Sequence, residues 1–291
     1  MAAETSPRLV ERISDRAQEL IKKLIGASQP PPRRLKTFLH GTWLGHPLHP
    51  LLTDIPIGAW SLAVLFDILW LISPVGNAWA ARGAEVLILV GILAALAAAV
   101  TGLADWSDTY GAERVTGFRH GLFNLISELV YIVSLALRLI VPSGENGVAA
   151  TLGFIGFAVM AFAAYLGGDM VFAKGTAVNH TAWEAGSDDF EPVIAVDDMA
   201  EKSLTRVMVA GVPVVLLRMG ERFFAIAATC SHAGGPLDEG ELQGGVVQCP
   251  WHGSRFRMSD GKPLTGPATI AQPRYDVRVQ DGRILLRRHG T

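Results

Sequence analysis

Cys230-Ser231-His232-Ala233-Gly234-Gly235-Pro236-Leu237 and Cys249-Pro250-Trp251-His252-Gly253-Ser254-Arg255-Phe256 contain the only two cysteines of the chain. Each cysteine is followed within three residues by a histidine. Two thiolates and two imidazoles form a soft-to-borderline donor set, suited to a tetrahedral zinc or to a two-iron cluster. The flanks favour the cluster. Glycine and proline make tight loops whose backbone N–H groups can point at bridging sulfides, donors that a structural zinc does not need. A DNA-binding finger would set both histidines together on one helix, whereas here each follows its own cysteine.

The two halves together closely resemble the signature of the Rieske [2Fe-2S] domain. The resemblance implies that Cys230 and Cys249 hold the inner iron, that His232 and His252 hold the outer one, and that the cluster cycles by one electron. Imidazole is neutral where thiolate is anionic, which raises the potential above that of all-cysteine clusters. Cytochrome bc Rieske proteins add a disulfide between the cluster loops. Gly235 and Trp251 stand at those positions here, so no such bridge is expected and no oxidising compartment is required. The same high-potential proteins use a serine and a tyrosine to hydrogen-bond cluster sulfurs; Ser254 matches the first and Phe256 replaces the second. Loss of that donor implies a potential below the bc type.

Around the ligands the chain reads as β structure. Arg206 to Val209, Val212 to Leu217, Phe223 to Ala227, Tyr275 to Val279 and Ile284 to Leu286 are short and rich in β-branched and aromatic residues. Asp281-Gly282 is a strong hairpin signal and Met219-Gly220 a weaker one. Gly266-Pro267-Ala268 resembles the proline loop that covers the cluster in the family; an ordinary surface turn is its plainer reading.

The preceding two-thirds is strongly apolar. Leu51 to Ile72, Glu85 to Ala104, Leu122 to Val141 and Gly147 to Leu166 each approach or exceed the roughly 20 apolar residues that span a bilayer. Val86 to Val100 lacks the polar stripe of a soluble helix. Gly153, Gly156, Ala163 and Gly167 put a small-residue face on the fourth span. The expected fold class is a multidomain membrane protein, an all-α four-transmembrane-helix bundle followed by an all-β Rieske sandwich. Residues 1–38 form an amphipathic helix and a proline-rich linker, 39–180 the four-helix transmembrane domain, and 188–291 the Rieske domain.

Cations concentrate before the first span (Arg8, Arg12, Arg16, Lys22, Lys23, Arg33, Arg34, Lys36), in the middle loop (Arg114, Arg119) and after the fourth span (Lys174). The positive-inside rule then places both termini and the Rieske domain in the cytoplasm of a bacterium, with the chain multi-pass in the inner membrane. Arg33-Arg34 invites comparison with a twin-arginine export signal, but three prolines precede it and a bundle without a cleavage pattern follows. Arg8 to Ile25 carries Leu9, Ile13, Ala17, Leu20 and Leu24 on one face. It reads as an amphipathic helix that lies on the membrane surface or packs on the protein, ended by Pro30-Pro31-Pro32.

His46-Pro47-Leu48-His49-Pro50, with Asp54-Ile55-Pro56-Ile57-Gly58 behind it, resembles an uncharacterised bacterial four-helix membrane family that begins with a His-Pro-x-His-Pro motif. The resemblance runs from about His40 to His180 and brings no activity with it. Topology puts His46, His49, Asp105, Asp108, Arg119, His120, Asp169 and His180 on the side of the Rieske domain. That edge suits a quinone site or a b-type haem, with His49 and His120 the first axial pair to test; interfacial polar residues are the plainer reading. Asp67 and Arg138 both lie roughly 24 Å into their spans, where a pair is feasible. Glu128, roughly 9 Å in, is a candidate proton relay or a carboxyl held by Asn124.

The chain beyond His252 is too short for a two-histidine, one-carboxylate iron site, so the protein is not an oxygenase by itself. No Gly-rich dinucleotide fingerprint opens a helix, and a formal net charge of -2 gives no reason to expect nucleic acid. Two functions remain. One is a membrane-anchored one-electron carrier, the electron-transfer component of an oxidoreductase system, working between an unidentified donor and acceptor with lipid around it and the quinone pool as one candidate partner. The other is a redox-sensing or structural membrane protein without steady turnover.

Overall fold

A backbone inside lipid has no water to bond with, so apolar runs of this length must satisfy their own N–H and C=O groups as helices. The computed structural model, which describes residues 9–25, 34–73, 78–141 and 147–290, has helices α1 (Leu9–Ile25), α2 (Arg34–Leu39), α3 (Leu48–Ile72), α4 (Ala78–Trp106), α5 (Gly111–Ile140) and α6 (Gly147–Gly168). The last four of these, with a π-helical turn at Asp169–Ala173 extending α6, are long and apolar enough to cross a membrane. Arg8, Arg33 and Pro30-Pro31-Pro32 lie outside the described residues. The chain divides into two units. One holds α1 and α3 to α6; the other joins residues 34–47 to everything from Gly175 onward.

In the helical unit α3 and α5 each pack on both α4 and α6, and so stand at opposite corners of the bundle. Leu62, Leu65, Leu89, Leu93, Leu125 and Val133 point outward, while Ala59, Ala63, Ala84, Ala98, Ala149 and Ala163 fill the interior. Trp60, Ile88, Tyr131 and Met160 form the middle of the core, and the alanines around them let the helix backbones approach closely, as expected where the solvent is as apolar as leucine.

The bundle is a duplicated hairpin. In the first half the His49 Nδ1 bonds Ala98 O at 2.8 Å, and in the second the His120 Nδ1 bonds Ala163 O at 2.8 Å. Gly102, one turn past Ala98, lies against the His49 ring, and Gly167, one turn past Ala163, lies against the His120 ring. His49, Trp60 and Asp67 follow one another at the same spacing as His120, Tyr131 and Arg138. The matched residues meet across the centre: Trp60 stacks on Tyr131 at 4.1 Å, and Arg138 clasps Asp67 through two bonds of 2.8 and 2.7 Å. Gly91 backs Trp60 as Gly156 backs Tyr131. A Cβ on Gly91 would come within 2.1 Å of the Trp60 ring nitrogen. Gly91→Ala is therefore expected to cost about 1–3 kcal/mol by overpacking, read as a lower unfolding midpoint in detergent.

Helix α1 docks with its polar face. Gln18 Nε2 donates to the carbonyls of Trp106 (3.0 Å) and Thr109 (2.9 Å), and Asp15 pairs with Arg114 at 2.6 Å. Leu9, Leu20 and Leu24 are left facing outward.

The β unit contains two antiparallel sheets. Strands β1 (Glu191–Ala195), β2 (Leu204–Val209), β3 (Val212–Met219), β4 (Arg222–Ala227), β9 (Arg274–Gln280) and β10 (Arg283–Arg288) form one, in the order β1-β10-β9-β4-β3-β2. Strands β5 (Glu241–Gln243), β6 (Val246–Gln248), β7 (Arg255–Arg257) and β8 (Pro263–Thr265) form the other. Asp281-Gly282 closes the β9–β10 hairpin with φ of 50° and 72°, as its residue types suggest. Ala210-Gly211 closes β2–β3 the same way, with φ of 47° and 80°, although alanine disguises the signal. The core that contains Val215, Ile226, Leu237, Val247 and Phe256 also holds Cys230 and Cys249.

Candidate metal centre

The two cysteine loops are built alike. Cys230 N donates to Gly235 O (2.8 Å) and Gly234 N to Cys230 O (2.8 Å); Cys249 N donates to Ser254 O (2.8 Å) and Gly253 N to Cys249 O (3.1 Å). Each turn needs its fifth residue in the left-handed region, and glycine supplies it, Gly234 at φ 78° and Gly253 at φ 74°. Coiled this way, each loop aims two backbone N–H groups at its own sulfur: those of His232 and Ala233 at Cys230, and those of Trp251 and His252 at Cys249. The second loop joins β6 to β7, and the first leaves the larger sheet after β4, so the two meet at one end of the domain.

Both thiols are buried and hydrogen-bonded to each other. The bond from Cys230, aided by the N–H groups of Trp251 and His252, outweighs burial and lowers the Cys249 thiol to about 7. The same bond, with burial, raises Cys230. The rings of His232 and His252 stand edge to face at 4.9 Å, with both Nδ1 atoms buried. Two sulfurs in one N–H-lined pocket and two adjacent imidazoles whose Nδ1 atoms are turned inward fit the donor set of a two-iron cluster with thiolate on one side and imidazole on the other.

A third segment ties the loops together. Ser254 Oγ accepts from Ala268 N (2.9 Å) and Ser231 Oγ donates to Ile270 O (2.9 Å), so the stretch after β8 is bonded to both ligand loops. This is the placement expected of Gly266-Pro267-Ala268 as a cover. Phe256, fully buried, presents only hydrocarbon where the high-potential proteins have a hydroxyl. Gly235 lies so close that a Cβ there would come within 2.8 Å of Cys249 Sγ and 3.0 Å of the Trp251 ring. Gly235→Ala is expected to reduce bound iron several-fold, measured as iron per chain in purified protein.

Sequence reasoning missed the residues that lie over this cover. Thr42 Oγ1 donates to Ala268 O at 3.3 Å, and His40, fully buried, packs against Gly266. Their signal was faint: Lys36 and His40 share one helix face and are buried, whereas Leu35 and Phe38 are exposed. His180 belongs to the same surroundings, its backbone N–H donating to Ser231 O at 3.1 Å.

Of the residues expected at the membrane edge, the structure brings His49 and His120 together, with ring centroids 6.3 Å apart and planes crossed at 85°. Asp169 pairs with Lys174, Arg119 is exposed, and His46 and His180 belong to the β unit. Asp67 and Arg138 form the pair that their depths allowed, each side chain 1% exposed. The Asn124 amide turns to His120, 3.1 Å from Nε2 and 3.0 Å from the backbone oxygen, and not to Glu128 as one sequence reading had it. Both Glu128 carboxylate oxygens are buried with no hydrogen-bond partner among the described residues.

Residues 189–276 match the family model described as Rieske [2Fe-2S] domain, and residues 45–180 that described as Predicted membrane protein (DUF2231). Ferredoxin CarAc of Metapseudomonas resinovorans is 36% identical over 95 residues, covering 32% of this chain and 89% of that protein. The anthranilate 1,2-dioxygenase ferredoxin subunit of Burkholderia cepacia is 30% identical over 101 residues, 35% of this chain and 94% of that protein. Among solved structures, the ferredoxin of carbazole 1,9a-dioxygenase from Nocardioides aromaticivorans IC177 is 31% identical and covers 34% of this chain and 96% of its own, with a TM-score of 0.33.

Proposed function

Because the chain belongs to the Rieske [2Fe-2S] domain family and carries a predicted membrane domain ahead of its ferredoxin-like part, we propose that it is a membrane-anchored one-electron carrier. Its cluster is held by Cys230, His232, Cys249 and His252 and exchanges electrons with the quinone pool or another membrane redox partner. The observation that carries this reading is the pair of matched loops, each offering one buried sulfur with two N–H donors and one imidazole. The cluster supplies reversible one-electron reduction when bound. The protein supplies the charge balance around it: N–H dipoles stabilise the sulfurs, Phe256 withholds a further donor, and the segment from Pro267 to Ile270 excludes water.

The relatives are named as ferredoxin components of dioxygenase systems. That likeness supports delivery of single electrons to a larger oxidoreductase, with this chain fixed at the membrane where they diffuse. The cationic segments around the spans support a cytoplasmic β domain in the inner membrane.

Electron paramagnetic resonance of membranes containing the full chain, reduced by dithionite or by a quinol, tests the reading. A Rieske-type signal that both reductants develop is the expected result; a cluster that dithionite reduces and no quinol or membrane donor can reach would favour a sensor without turnover. A redox titration should place the midpoint below that of bc-type Rieske proteins, because Phe256 donates no bond to the reduced cluster.

A further inference from the structure

We propose that His49 and His120 are the two axial ligands of a b-type haem inside the helical bundle, toward the end where α3 begins, an inference that rests on reading the chain as a one-electron carrier. Each ring spends one nitrogen on a helix carbonyl, His49 Nδ1 on Ala98 and His120 Nδ1 on Ala163, both at 2.8 Å. A carbonyl only accepts, so both Nδ1 atoms carry the proton and both Nε2 atoms keep a lone pair. This is the arrangement that metal-bound histidines use to fix tautomer and ring orientation. The two nitrogens of an imidazole point in nearly opposite directions, so each Nε2 looks away from the helix its Nδ1 is bonded to.

The spacing agrees. A metal–imidazole bond of about 2 Å, with the ring centre about 1 Å further on, separates two imidazoles sharing one metal by about 6 Å; the observed centroids are 6.3 Å apart. The rings come from α3 and α5, opposite corners of the bundle, as ligands approaching one iron from its two faces must. Duplication explains the match, since each half repeats histidine, carbonyl and glycine at equal spacing.

A bare cation is the rival occupant. Two imidazoles leave zinc two ligands short. A porphyrin brings four equatorial nitrogens of its own. The Asn124 amide, now 3.1 Å from His120 Nε2, would turn back to its second partner, the His120 carbonyl at 3.0 Å. A ferric iron here accepts the single electron that a reduced [2Fe-2S] cluster gives up, becoming ferrous as the cluster is oxidised.

The test uses full-length protein from cells supplied with iron and δ-aminolevulinate. Visible spectra, pyridine haemochrome content, elemental analysis and the cluster's resonance signal are measured on the same samples. The expected result is one haem per chain, a strongly anisotropic low-spin ferric signal because the ring planes cross at 85°, and at least a tenfold loss of haem in His49→Gly and in His120→Gly. Added imidazole should restore haem to either variant, which separates ligand loss from misfolding. Protein that carries the cluster signal but no haem would overturn the inference and leave the carrier reading standing. Haem retained in both variants would overturn it as well. So would stoichiometric copper or zinc, lost in the variants, with no haem band. A missing cluster signal counts against the carrier reading alone, because haem is scored separately.

Discussion

Cys249→Ser is expected to abolish the cluster: iron and acid-labile sulfide below a tenth of the unmodified protein, and no Rieske-type resonance in reduced membranes. The serine hydroxyl is smaller, harder and not ionised near neutral pH, whereas a thiol gives up its proton to iron readily. Soft thiolate is what iron–sulfur clusters select. Cluster binding is also folding free energy, because the unfolded chain offers no assembled site. The β unit of the variant should therefore melt at a lower temperature, while the helical unit keeps its own transition. Stoichiometric zinc with no inorganic sulfide in the unmodified protein would sink the cluster assignment and leave a plain tetrahedral site.

The second large effect is expected within the helical bundle. Asp67→Ala leaves the Arg138 guanidinium buried without its bidentate partner, and removing one member of such a pair costs about 3–5 kcal/mol. Gly153 makes room for the carboxylate, since a Cβ there would lie 3.0 Å from Asp67 Oδ2; there is little slack for water to replace it. Replacing both residues by hydrocarbon, as in Asp67→Leu with Arg138→Met, should recover most of the loss, because no charge is then stranded. Unfolding in detergent decides the matter. A single variant as stable as the unmodified protein would show the pair to be idle.

Those two sites differ in how far their residues disclosed them. The cluster loops could be read from eight-residue stretches because the chemistry is local: a glycine at each left-handed corner, a cysteine and a histidine at fixed reach. The long strands β2, β3, β4, β9 and β10 showed through their β-branched residues. The four-stranded sheet that carries the second ligand loop did not, since three-residue strands such as Val246–Gln248 are too short for any period to emerge. In the bundle, depth alone matched Asp67 with Arg138. The duplication stayed hidden because the matched residues differ in type: aspartate answers arginine and tryptophan answers tyrosine. The histidines, the alanines whose carbonyls they bond and the glycines beneath the rings are identical, and the repeat becomes evident once they are aligned. The role of residues 34–47 was barely legible, because their partner is a loop more than two hundred residues away, as the bond from Thr42 to Ala268 shows.

That contact imposes an order on synthesis. His40 and Thr42 leave the ribosome before the first span, and Gly266 and Ala268 after the last, so the cover over the ligand loops closes only when the whole membrane segment has been made. Joining ends so far apart costs chain entropy that grows with the logarithm of the loop. Hairpins already inserted in the bilayer shorten that loop. The strap over the cover is thus made of parts of the described chain from before the first span and after the last, and neither half of the contact can form before the other has been synthesised.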